Sequence, residues 1–106
     1  MKLDDIREAA EAKYGHLPVE VGDRTVRLLN PLRLPKTKRD EIAKLQERLK
    51  EEGADQEAIM RDMIRVTADT KAGADVLLKA IGDDLTVLAE VLGEYGRKTR
   101  VGEASA

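Results

Sequence analysis

Four basic side chains, Arg33, Lys36, Lys38 and Arg39, crowd the stretch NPLRLPKTKRDE, where they could grip a row of phosphates. Phosphate-gripping surfaces usually interleave aromatic side chains and belong to domains with a clear basic excess. Here Asp40 and Glu41 follow at once, and Lys44 stands one helical turn beyond Asp40, where the two can pair. The whole chain carries a net charge of −2. A solvated helix start behind a proline elbow fits the run better than a nucleic-acid surface. Positive charge at a helix N-terminus opposes the macrodipole by roughly 0.3–1 kcal/mol per group. That small cost hints at an acidic partner for the cluster.

His16 is the single histidine, placed after Gly15 in an expected loop, with nothing beside it at metal-ligand spacing. Asp83 and Asp84 could pair for acid–base work, but an N-cap and an acidic first turn explain them more simply. Met60 and Met63 share a helical face and serve as core gap-fillers. The absence of cysteine rules out a disulfide, a thiolate metal site and a thiol nucleophile. Ser105, the single serine, lies near the end of the sequence, and no Gly-rich phosphate loop follows a strand. The sequence therefore predicts no enzymatic activity, no metal and no cofactor.

The elements around these residues follow from their periods. Leu3, Ile6, Ala10 and Tyr14 recur at helical spacing, with Asp5 and Glu8 as a capping pair and Gly15 as a stop. The stripe is narrow, so this helix should lie on a surface. PVEVGDRTVRLL then alternates, with Gly22-Asp23 as the turn, which predicts an antiparallel β-hairpin near 18–29. Each proline of NPLRLP disfavours the α region for the residue before it. The segment should thus be extended, projecting Leu32 and Leu34 together with Arg33 opposite. Further helices are expected near 37–52, capped by Thr37 with Asp40, and near 55–70, 74–81 and 83–95, the last closed by Gly96. The expected core is Ile42, Leu45, Leu49, Ile59, Met63, Ile64, Leu77, Ile81, Leu88 and Leu92.

A chain of 106 residues is one domain by length. The fold class expected is mainly α with one small antiparallel hairpin, an α+β arrangement of about five helices over 1–96, then a flexible tail over 97–106. The 42% hydrophobic fraction is too well patterned for disorder. The start, MKLDDIREAAEAKYG, is too charged for a signal peptide, and no apolar run approaches the ~18 residues of a membrane span. A cytoplasmic protein without membrane contact is expected.

Three stretches carry a family resemblance: the first helix ending AKYG, the segment VEVGDRTVRLLNPLRLPKTKRDEI, and AGADVLLKAIGDDLTVLAEVLGEYGRKTRVGEA. In that order they resemble the tail assembly chaperones of long-tailed, siphovirus-type phages of actinobacteria, over nearly the whole chain. The resemblance implies binding of the tape-measure protein, a long aggregation-prone helical rod; many copies could cover its apolar stripes, and self-association in multiple copies is a further expectation. It places the protein in the cytoplasm of the infected host and outside the mature virion. In that family a programmed ribosomal slip makes a longer product that recruits tail-tube subunits. This sequence has the short product's length, and a slip would fall at the codons for Gly96, Arg97 and Lys98. Leu32, Arg33 and Leu34 of the elbow, with Val91 and Tyr95, are the expected partner contacts, with core pegs as the alternative for Leu32 and Leu34. A small DNA-binding regulator and a neck or head-completion protein are the alternatives. The first would need a basic recognition helix where DDLTVLAEVLGEY stands, and the second more strands than one hairpin supplies.

Overall fold

The computed structural model of the protein describes residues 1–99. In chain order it runs α1 (Leu3–Lys13), β1 (Leu17–Val21), β2 (Arg24–Leu28), a 3-10 turn (Pro31–Arg33), α2 (Lys36–Leu49), α3 (Gln56–Thr67), α4 (Lys71–Ile81) and α5 (Leu85–Thr99). This is the mainly α class with one hairpin that the periodicities predict.

The hairpin pairs Leu17 with Leu28 through to Val21 with Arg24, so Gly22 and Asp23 alone make the turn. Gly22 takes φ +62°, and no non-glycine residue among those described has positive φ. Positive φ at the first central position alone is the signature of a type II′ turn, whose twist matches the strands. The far side of β2 is bridged at its Leu28 end by the chain itself. Where α3 ends, Thr67 accepts from the Leu29 N–H at 2.8 Å and Asp69 donates its N–H to Arg27 at 2.8 Å, forming a bridge between Leu28 and Ala68. Among the described residues the outer edge of β1 has no strand beside it.

Two apolar clusters share α3. The larger joins Val26 and Leu28 of the hairpin to Ile64, to Ala74, Leu77, Leu78 and Ile81 of α4, and to Leu88 and Tyr95 of α5. The smaller, of Leu34, Ile42, Leu45, Ile59 and Val66, glues α2 to the opposite face of α3. Ile59 and Val66 face one way and Ile64 the other, the arrangement an amphipathic helix reaches when both its flanks are covered. Gly73 lets α4 approach the sheet: a Cβ there would stand 2.9 Å from Thr70 Oγ1 and 3.4 Å from Val26 Cγ1. Arg61 ties the helical layer together, pairing with Glu57 at 3.0 Å and donating to the Gly82 carbonyl.

Several expectations are corrected. Leu49 is 41% exposed, because it ends α2 beyond the reach of α3, while Met63 and Leu92 are only partly buried. Thr70, expected at the end of the helix near 55–70, is instead the N-cap of α4 and accepts from the Gly73 N–H. The cap of α5 is Asp84, not Asp83; it accepts from the Thr86 and Val87 N–H groups and from the Thr86 hydroxyl. The Thr86 hydroxyl, more than the two backbone donors, holds this carboxyl below the ordinary range. Lys36 opens α2 behind Pro35, without the Thr37 cap.

Nor does Gly96 stop the last helix. Arg97, Lys98 and Thr99 remain helical; the rest of the expected tail, 100–106, lies outside the described residues. A helical glycine costs about 1 kcal/mol relative to alanine. Local bonds offset that here: Arg97 pairs with Glu94 and, at 3.3 Å, with Glu90, while the Thr99 hydroxyl donates to the Tyr95 carbonyl at 2.7 Å.

Candidate functional site

The elbow departs from the extended form expected of it. Pro31 starts a 3-10 turn instead, because Asn30 supplies the cap: its side-chain oxygen accepts from the Leu32 N–H at 2.9 Å. Asn30 is itself buried, at 2% exposure, and its amide nitrogen reaches the Thr99 carbonyl at 3.4 Å. The turn rotates Leu32 and Leu34 apart. Leu32 is 62% exposed, whereas Leu34 is 7% exposed and belongs to the α2–α3 cluster. Arg33 pairs with Glu11 of α1 at 2.9 Å, and the same carboxylate meets His16 Nδ1 at 2.9 Å.

The basic run does not form a phosphate track. Lys36 pairs with Asp40 at 3.0 Å, displacing the expected Lys44 partner, and Arg39 donates to the Leu34 carbonyl at 2.7 Å. Among the described residues Lys38 has no ion pair; it lines a cleft of about 570 Å³ below the elbow. Arg65 and Lys71 line the same cleft, but so do Asp69 and Asp75, so the charge there is mixed. Among the described residues no group of three or more His, Asp or Glu could hold a metal ion, and no helix is long and apolar enough to cross a membrane.

Tyr95 also leaves the expected contact surface. It is 8% exposed, and its hydroxyl donates to the Leu29 carbonyl at 2.8 Å, locking α5 to the end of the hairpin. Burial pushes its phenol well above the ordinary value. Val91, in contrast, is half-buried and opens onto a groove.

That groove, of about 620 Å³, runs between β1 and α5. Val87 and Val91, four residues apart on α5, form its helical side, and Leu17 and Val19 its strand side. Glu90 and Glu94, also four apart, rise beside the valines, and Glu20 stands on the strand side. Arg97 offsets part of the charge of Glu90 and Glu94. The sequence produces this trough because the apolar stripe of α5 is broader than its core contact needs. Leu88 and Tyr95 turn inward and the valines are left at the margin. Periodicity alone singled out Val91 but missed Val87, Leu17 and Val19. The available signal was the coincidence of a valine ridge on α5 with an alternating strand that has no neighbour on one side.

A family model described as mycobacteriophage tail assembly protein matches residues 1–104. No curated protein and no solved structure matches the chain.

Proposed function

The chain belongs to the mycobacteriophage tail assembly protein family, and from that premise we propose that it is a non-catalytic chaperone of the tape-measure protein. The groove between β1 and α5 carries this proposal: an open apolar trough of about 620 Å³ walled by carboxylates, the shape that accepts one face of an amphipathic helix. A tape-measure rod displays long apolar stripes before the tube encloses it, and bare stripes of that kind associate non-specifically. Many copies, each covering a short segment with moderate affinity, would hold the rod in solution and still let go when tail-tube subunits arrive. Those subunits would be recruited by a longer, frameshifted product. The work would be done in the cytoplasm of the infected host, and the chaperone would be absent from the mature virion. The exposed Leu32 with Arg33 offers a second, smaller contact beside the groove. Leu34 and Tyr95 would serve it only by holding the elbow and α5 in place.

The test is co-expression with the tape-measure protein. Its soluble yield should rise, and the two should co-purify. Val87→Glu puts a charge on the exposed side of the groove and should weaken co-purification by roughly tenfold or more, the worth of one buried valine contact. Leu32→Ser should weaken it less, and both variants should keep wild-type helix content by circular dichroism. A tape-measure protein equally soluble with and without this chain would refute the proposal.

A further inference from the structure

The first helix has an apolar stripe that nothing among the described residues buries. No residue of α1 is buried; Leu3 is 59% and Ile6 47% exposed. Toward its C-terminal end Glu11 pairs with Arg33 and His16, while Leu3 and Ile6 stand at the other end. Basic side chains border the stripe, although Asp4 and Glu11 share the Arg7 side. Arg7, four residues after Leu3, borders one side; Lys2, four before Ile6, and Lys13, seven after it, border the other. The carboxylates of Asp5 and Glu8 lie on the opposite face. Among the described residues Arg7 pairs with Asp4 alone, at 3.6 Å, a surface pair of little worth that can be exchanged.

The β1–α5 groove is the complement of that stripe. Its apolar lining is Leu17, Val19, Val87 and Val91, beside three carboxylates, Glu20, Glu90 and Glu94, with the one guanidinium of Arg97 against two of them. The lengths agree. Leu3 to Ala10 spans about 10 Å of helix, and Thr86 to Glu94 about 12 Å, at ~1.5 Å per residue. A helix suits the groove better than an added strand, since β1 carries Pro18, which cannot donate to a new ladder.

We propose that α1 of one copy seats its Leu3–Ile6 stripe in the β1–α5 groove of a second copy, and reciprocally, making the free protein a two-fold dimer. The dimer does not depend on what the phage partner is. Its displacement by a tape-measure helix does, and rests on the function proposed above.

Sedimentation of the chain alone, with no tape-measure segment present, tests the dimer separately from that function. The wild type should sediment as a dimer. Ile6→Glu and Val87→Glu should each weaken association roughly ten- to a hundred-fold. Arg7→Glu should weaken it less, and Glu90→Arg in the same chain should restore it. Because the chain has no cysteine, an Ile6→Cys chain mixed with a Val87→Cys chain under oxidising conditions should form a disulfide-linked heterodimer. A monomer at the highest soluble concentration overturns the proposal. So does a dimer that survives both Glu substitutions, or a chain carrying both cysteines that closes only on itself.

Discussion

The first and last described helices make an instructive pair. Both are amphipathic, yet α5 sends Leu88 and Tyr95 into the core while α1 sends nothing. A stripe shows where a helix could be covered, not that its own chain covers it. The broad stripe of α5 divides between the core and the groove. The narrow one of α1 is left whole, which suits an arm better than a strut.

The sharpest way to break this contrast is to empty both stripes. Leu88→Ala, at a site with no exposure, should lower stability by about 2–5 kcal/mol in urea unfolding. Ile6→Ala in dilute protein should change it by less than about 0.5 kcal/mol. An equal loss at the two positions would mean that α1 packs on its own domain. The elbow repeats the comparison within three residues: Leu34→Ser should cost about 2–4 kcal/mol, and Leu32→Ser almost nothing.

A smaller effect should come from Tyr95→Phe, which removes the bond to the Leu29 carbonyl and should cost about 1–3 kcal/mol. The same side chain gives α5 a pH signature that α1 lacks. Folding keeps the phenol neutral, so stability is whole below the unfolded pKa of about 10 and falls as pH rises past it. Tyr95→Phe should remove part of that alkaline loss in a titration of melting temperature. The smallest effect should be at the cap. Asp84 has a lowered pKa, so its contribution is present above the unfolded carboxyl value and fades as pH falls through the folded one. Asp84→Asn should lower the melting temperature slightly near neutrality and flatten its acid limb.

Much of the fold was legible because its signals are local. The alternation around Gly22-Asp23, the Asp55 cap and the spacing of Ile59 and Ile64 each need only a few neighbouring residues. What escaped was non-local. Leu34 is drawn inward because Asn30 caps a 3-10 turn, and Asn30 is held by a carbonyl far along the chain. Tyr95 reads as the margin of a stripe until its hydroxyl finds Leu29. Of the candidate contacts, Val91 lies on the groove and Leu32 and Arg33 on the surface, whereas the strand side of the groove exists only once β1 and α5 meet.

The corner at Leu29 and Asn30 also bears on the order of folding. Its bonds to Tyr95 and Thr99 close loops of 66 and 69 residues, while the hairpin and the α2–α3 pair join near neighbours. Long loops cost more entropy to close, so local pairs are expected to lead and this knot to be tied after the rate-limiting step. Tyr95→Phe would then act as a latch mutation, hastening the unfolding limb of a chevron plot and leaving the refolding limb almost where it was. A slowed refolding limb would instead put the corner inside the nucleus.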